Sequence, residues 1–124
     1  MIGASRNWSK VVLQWNLAND INYGPHTTGG CTSCLGAVTI GSAVYRNVAY
    51  YTIAHAAKFV RPGSIRISTS IPSNLENVGF VTPDGKKVLI VLNDGSSAQT
   101  FNIRFNQKIV TTTLNSGSVG TYVW

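Results

Sequence analysis

Val11-Val12-Leu13 form a continuous apolar run rich in β-branched residues, and the run extends through Gln14-Trp15 to Leu17. An apolar stretch without polar alternation reads as a strand buried on both faces, the habit of parallel sheets. A Gly-rich stretch follows from Ala18 to Gly36, holding Tyr23, Gly24-Pro25, Gly29-Gly30 and both cysteines. Loops longer than about 15 residues inside compact domains are usually functional. Ala37-Val38-Thr39-Ile40 and Ala43-Val44-Tyr45-Arg46 flank Gly41-Ser42 and predict a hairpin with glycine at the first turn position. Tyr50, Ile53, Ala54, Ala57 and Val60 recur at helical spacing, with Asn47 as the cap and Pro62-Gly63 as the stop.

Beyond Gly63 the pattern changes to short alternating strands, near 64–71, 75–82, 87–93, 99–105, 108–114 and 118–124. Asp84-Gly85 marks a hairpin turn that tolerates positive φ, and Asp94-Gly95 opens a looser polar turn. Strands at this spacing predict an antiparallel β-sandwich. The fold class expected is therefore mainly β: an antiparallel sandwich with one α-helix, preceded by a strand–loop–helix unit. Residues 1–62 form the first part and residues 63–124 the sandwich. A lone parallel strand has no partner in the chain, so the chain is expected to begin in the middle of a larger protein.

Composition alters this picture in two ways. Ten Lys and Arg against four Asp and Glu give a net charge of +6, yet only 11% of residues are charged. The cations are scattered, with Lys86-Lys87 the adjacent pair, whereas a phosphate-tracking surface clusters them. Nucleic acid is disfavoured as a partner. Polarity comes instead from 12 Ser, 12 Thr and 11 Asn, a composition common in secreted proteins that handle sugars, so secretion is the expected localisation. Asn7-Trp8-Ser9 fits a glycosylation sequon, a pattern short enough to arise by chance. No apolar run approaches the roughly 18 residues that span a bilayer, and residues 1–10 lack the apolar middle of a signal peptide.

The chain resembles the C-terminal end of glycoside hydrolase family 30, the glucosylceramidase and endo-β-glucanase family. The resemblance rests on Trp15-Asn16-Leu17-Ala18, Tyr23-Gly24-Pro25, Tyr50-Tyr51-Thr52-Ile53-Ala54-His55 and Lys58-Phe59-Val60-Arg61-Pro62-Gly63. It continues through Leu75-Glu76-Asn77-Val78, Thr82-Pro83-Asp84-Gly85 and Val88-Leu89-Ile90-Val91-Leu92-Asn93 to Gly120-Thr121-Tyr122-Val123-Trp124. It implies that residues up to about 62 resemble the last unit of a (β/α)8 barrel. Residues 63–124 then resemble most of the sandwich, minus a contribution the family takes from near its N-terminus. The implied partners are the missing barrel portion and a β-linked glucoside or glucan.

Retaining glycosidases use two carboxyl groups about 5–5.5 Å apart. The resemblance places the family's catalytic glutamates on barrel strands that this chain lacks, leaving Asp20, Glu76, Asp84 and Asp94. Asp84 and Asp94 sit in turns, where side-chain to backbone bonding is the ordinary role. Asp20 has no evident partner, Glu76 reads as solvated, and no catalytic pair is visible. The chain alone is expected to be non-catalytic. The family places a tryptophan at the position of Trp15 beside the sugar, so Trp15 is the candidate substrate-binding residue; on its own, a Trp ending a buried strand reads as core. Trp8, Tyr50, Tyr51, Tyr122 and Trp124 read as packing residues.

Cys31-Thr32-Ser33-Cys34 is a CxxC. Zinc would need two more ligands, with His26 and His55 the histidines on offer. A redox role is disfavoured because the motif does not open a helix after a strand. A local disulfide between Cys31 and Cys34 is favoured in a secreted protein. No cofactor is expected. A free-standing carbohydrate-binding module is the competing reading and requires an exposed row of aromatics. The uncovered apolar surfaces of residues 8–60 are expected to drive self-association.

Overall fold

A computed structural model describes all 124 residues. The first part holds α1 (Ile2–Arg6), β1 (Ala18–Asp20), β2 (Val38–Ile40), β3 (Val44–Arg46) and α2 (Val48–Ala57). β1 pairs parallel with β2, and β2 pairs antiparallel with β3. The second part holds β4 (Ile65–Ile67), β5 (Leu75–Val81), β6 (Lys87–Asn93), β7 (Gln99–Phe105), β8 (Lys108–Leu114) and β9 (Val119–Val123). Its main sheet has the order β4-β5-β6-β9, and the β7–β8 hairpin forms the opposing layer. The antiparallel sandwich expected from the alternating second half is present. No helix is long and apolar enough to cross a membrane.

β6 reads Lys-Val-Leu-Ile-Val-Leu-Asn because it is covered on both faces. Val88 and Ile90 join Val78 and Ile2 in the main core, with Ala56, Phe59 and Val60 closing it from the α2 side. Leu89 and Val91 face the other way, towards Phe101, Ile103 and Phe105 of the hairpin. Phe101 meets Tyr122 edge-on at 6.0 Å, and Phe105 meets Trp124 at 5.9 Å. Such offset aromatic pairs hold the two layers together beyond their buried area. Gly79 pairs with Ile67 of β4, and a Cβ there would lie 2.8 Å from Thr69 Cγ2 just past that strand and 3.2 Å from Ile67 Cγ1.

β6 ends on Asn93, which is fully buried. Its amide donates to Ser97 O at 2.8 Å and Leu114 O at 2.9 Å, and its Oδ1 accepts from Gly95 N at 3.0 Å. One side chain thereby ties the main sheet to the β6–β7 turn and to the end of β8.

Several expectations are corrected. Residues 11–17 do not form a buried strand: pairing begins only where Ala37 N donates to Asn16 O, followed by Val38 N to Leu17 O, and Leu13 is 87% exposed. A strand buried on both faces needs a layer packed against each, and here Val11, Leu13 and Leu17 are all exposed. Asn16, at φ +67, breaks the extended run just before β1. There are two helices rather than one, because Ile2–Arg6 coils against β5 and buries Ile2. α2 ends at Ala57; Ile53 and Ala56 face inward, Val60 follows beyond the helix end, and Tyr50 lies outside the core under the Arg46 guanidinium, 5.2 Å away. The β2–β3 connection takes three residues, Gly41-Ser42-Ala43, because Ile40 pairs with Val44. Trp8 is not a packing residue; it is 75% exposed.

Asn93→Ala should lower unfolding stability by about 3 kcal/mol, since it strands two carbonyls and an amide in a buried site. Urea denaturation followed by tryptophan fluorescence checks this, and a loss below about 1 kcal/mol would show that the three bonds are dispensable.

Candidate functional site

The end of β1 and the long loop after it carry most of the residues singled out in the first part. Trp15 sits just before this strand and is 72% exposed, with Asn16 turning the chain behind it. The Asn16 side chain accepts from Ala18 N at 3.1 Å, which fixes the bend that presents the indole. The expectation of a core Trp fails with the strand that was to bury it.

The loop is built on Asp20. Its Oδ1 accepts from Asn22 N at 2.8 Å and Gly24 N at 2.9 Å, while Asp20 N donates to Gly24 O at 2.8 Å. Tyr23 at the tip of this turn has φ +64, and the Gly24–Pro25 bond that follows is cis. Asp20 thus shapes the turn through Oδ1, which two backbone amides engage. Farther on, Cys31 and Cys34 are joined by a disulfide with Cα atoms 5.6 Å apart. Both sulfurs are then unavailable as thiolates. No three His, Cys, Asp or Glu side chains converge anywhere in the molecule.

Two amides close the loop: Asn19, which does not stand out in sequence, and Asn47, which sequence marks only as a helix cap. Asn19 Oδ1 accepts from Gly36 N at 2.7 Å, and Asn47 Nδ2 donates to Gly36 O at 2.9 Å and to Thr39 Oγ1 at 3.0 Å. Gly36 is held from both sides, and a Cβ there would lie 2.9 Å from Asn19 Oδ1. Asn47 occupies the cap position of α2 but makes no side-chain cap bond. An Asn in a two-stranded stretch gives no periodicity signal. Its value appears only when the partner, 11 or 17 residues distant, arrives.

The other candidates are dispersed. His26 is exposed in the loop, and His55 on α2 bonds Thr121 Oγ1 of β9 through Nδ1 at 2.8 Å, docking the helix on the sheet. Glu76 lies on β5 opposite Leu92, and Asp94 follows Asn93 at the far end of β6. Asp84, in the β5–β6 turn, is hydrogen-bonded and ion-paired to Lys86 at 2.7 Å and also receives the Thr82 hydroxyl. These contacts, the Lys86 bond foremost, hold its carboxyl at about 2 against an ordinary 3.8, and the Lys86 ammonium is raised in turn by Asp84. Gly85 at φ +81 completes that turn.

Residues 63–122 match the model of the glycosyl hydrolase family 30 beta sandwich domain. The chain is 35% identical to endo-1,6-beta-D-glucanase neg1 of Aspergillus fumigatus, over 94% of this chain and 24% of that protein. It is 32% identical to lysosomal acid glucosylceramidase of Mus musculus, over 89% of this chain and 22% of that protein. Among solved structures it superposes on the endo-beta1,6-glucanase BT3312 with a TM-score of 0.88 and 31% identity, covering 99% of this chain and 28% of that one. SrfJ from Salmonella typhimurium gives 0.81 and 32% over 89% of this chain and 25% of that one. The chain spans about a quarter of the length of the relatives it matches.

The Asp84 carboxyl should titrate near 2, and Lys86→Gln should return it towards 3.8. A folded value below the unfolded one stabilises the fold above about pH 4, and that contribution is lost as pH falls towards 2. Carbon-detected NMR titration of the side chain checks the midpoint in both proteins.

Proposed function

The chain belongs to glycoside hydrolase family 30, and from that premise we propose that it is a non-catalytic C-terminal part of a retaining β-glycosidase that cleaves β-linked glucans or glucosylceramide. The observation that carries the reading is the superposition of nearly the whole chain, first part and sandwich together, on one end of an endo-β1,6-glucanase. A module that evolved as a free-standing binder would share the sandwich but have no need of a barrel-like strand, loop and helix.

The chemistry of the chain agrees. Retention needs two carboxyl groups facing one sugar from about 5–5.5 Å apart. Asp20 is engaged by two backbone amides and Asp84 by a lysine and a threonine. Catalysis therefore rests with glutamates on the remainder of the parent enzyme. This part braces the barrel and supplies Trp15, whose exposed face stacks on the C–H face of a pyranose while its N–H donates to a hydroxyl. The disulfide in an exposed loop suits an oxidising compartment, and secretion is the localisation we infer. The carbohydrate-binding-module alternative finds little support on the hairpin, whose outer face carries Thr100, Asn102, Arg104, Ile109, Thr111 and Thr113 and no aromatic ring.

The surfaces left open fit the same reading. A compact chain of this size exposes roughly 6,500 Å2; this one exposes 8418 Å2, and 12 of its 124 residues are buried. The excess of about 2,000 Å2 exceeds the roughly 800 Å2 that one partner gives to a standard interface. Part of it is the apolar run at Val11, Leu13, Leu17 and Ile21, beside the unpaired edge of β1. Another part is a cleft of about 310 Å3 between the β7–β8 hairpin and β4–β5, lined by Ile67, Val91, Phe101 and Ile103. The first meets neighbouring barrel strands in the parent, and the second takes the contribution from the parent's N-terminal region.

The isolated chain should release no product from aryl β-glucosides or β-1,6-glucan; turnover abolished by replacing Asp20, Glu76, Asp84 or Asp94 would overturn the reading. Joined to a family 30 barrel lacking this part, the chain should restore hydrolysis. In that chimera Trp15→Ala should cut kcat/KM by about tenfold or more, or about 1.4 kcal/mol of transition-state binding. An unchanged value would remove Trp15 from the sugar site.

Without the parent, residues 8–60 should pair with a second copy. Light scattering should report a dimer or larger species, and Leu13→Gln with Leu17→Gln should shift it to monomer more than Lys86→Glu does. A wild-type monomer at high concentration would contradict this.

A further inference from the structure

A cleft of about 700 Å3 opens between the end of α1, residues 8–12, α2 and β4. Lys10, Arg61 and Arg66 line it together with Ser5, Trp8 and Phe80, and no Asp or Glu does. The one ion pair in the molecule is Lys86 with Asp84, so none of these three cations has a carboxylate partner. Arg61 donates to Ala57 O at 3.2 Å, a single backbone bond at the surface.

Arg66 is the centre of the cleft. Its side chain shares a face of the sheet with its cross-strand neighbour Phe80, and its guanidinium carbon lies 3.9 Å from the centre of the Trp8 ring. Its Nε is buried and has no hydrogen-bond partner. An arginine flat against an indole is weakly hydrated on that face, while its two terminal Nη groups, which bond no protein acceptor, stay in plane to meet two oxygens at once.

The backbone beneath Trp8 is strained in order to put it there. Trp8 N donates to Ser5 O at 3.2 Å and Ser9 N to Ala4 O at 3.0 Å, which closes α1 with a left-handed residue after its cap. That residue is Trp8, at φ +66. Glycine takes such a position freely, and a bulky side chain there is an outlier. The helix needs only the turn. The indole is what lays a platform under Arg66.

We infer that this cleft is an anion site that takes one oxyanion group, carboxylate, sulfate or phosphate, on the N–H edge of Arg66, with Lys10 and Arg61 supplying charge and Ser5 a hydroxyl donor. The carbonyls at the end of α1 do not oppose it directly, since those of Ala4 and Ser5 are already taken by backbone amides. A fork stacked on an aromatic selects planar or tetrahedral oxygens over chloride, because two parallel N–H bonds need two acceptor oxygens.

The test uses the full chain carrying Leu13→Gln and Leu17→Gln, neither of which lines the cleft, so that pairing between copies does not cover it. Sodium sulfate, phosphate or acetate is titrated against sodium chloride at matched ionic strength, and 15N–1H spectra follow the Arg66 Nε–H and Trp8 indole signals. Saturable shifts of both are expected with at least one oxyanion. Sulfate and phosphate without acetate would assign a tetrahedral group, and all three together any oxyanion. Arg66→Gln should weaken binding at least tenfold, and Arg66→Lys, which keeps the charge but loses the fork, nearly as much. Trp8→Gly relieves the strained φ and keeps the helix end, yet should weaken binding severalfold. Shifts that rise linearly and equally with chloride, or that survive Arg66→Gln, overturn the assignment. Full affinity in Trp8→Gly would overturn the role of the platform.

Discussion

Val88 and Ile90 on one face of β6, and Leu89 and Val91 on the other, cannot all be removed from water unless the strand is covered twice. The helices do this on one side and the β7–β8 hairpin on the other. The regular structure around the sandwich follows from that double burial: β5 and β9 pair with β6 along its length, α1 seats Ile2 against Val78, and the chain after α2 lowers Phe59 and Val60 onto the same core. Asn93 then makes the arrangement specific. An apolar residue at the end of β6 would fill the space, but it would leave the Ser97 and Leu114 carbonyls without donors and the hairpin without a fixed angle.

The first part obeys a weaker constraint. It has one parallel pair, one short hairpin and a helix, and what holds its long loop is polar: Asn19 and Asn47 clamping Gly36, Asp20 clamping Asn22 and Gly24. Such bonds fix geometry with little net stabilisation each, about 1 kcal/mol. A structure held this way keeps its shape chiefly when something covers its apolar side. The exposed Val11–Leu17 stretch marks that side, which is why membership in a family of larger hydrolases and the surface excess point to the same conclusion.

Trp15 and Trp8 illustrate opposite sources of knowledge. Trp15 is a candidate through the family resemblance, and the structure shows it exposed at a bend fixed by Asn16. Trp8 lies in a sequon that says nothing of its own contacts, and its neighbour in space, Arg66, lies 58 positions away in sequence. Only the strained turn after α1 reveals that the two belong together.

Short apolar-rich segments between turn signals were legible as the six sandwich strands, clearest at β7 where apolar and polar residues alternate, although β4 shrinks to Ile65–Ile67. Pro62-Gly63 marked the change of character just before the sandwich, and the Asp84-Gly85 turn was equally local. Residues 11–17 misled for the complementary reason: an apolar run states that a segment wants cover on both faces, not whether the cover is present. The helix Ile2–Arg6 was missed because five residues carry too little periodicity, and it exists through Arg6, whose guanidinium bonds Thr69 Oγ1 at 2.7 Å and Asn77 O at 2.8 Å. The register of the clamping asparagines, the docking of His55 on Thr121 and the stacking of Arg66 on Trp8 were decided by tertiary structure alone. Each joins residues with no fixed spacing, and a hydrogen bond or a stacked pair leaves no trace in sequence until the chain has brought its two halves together.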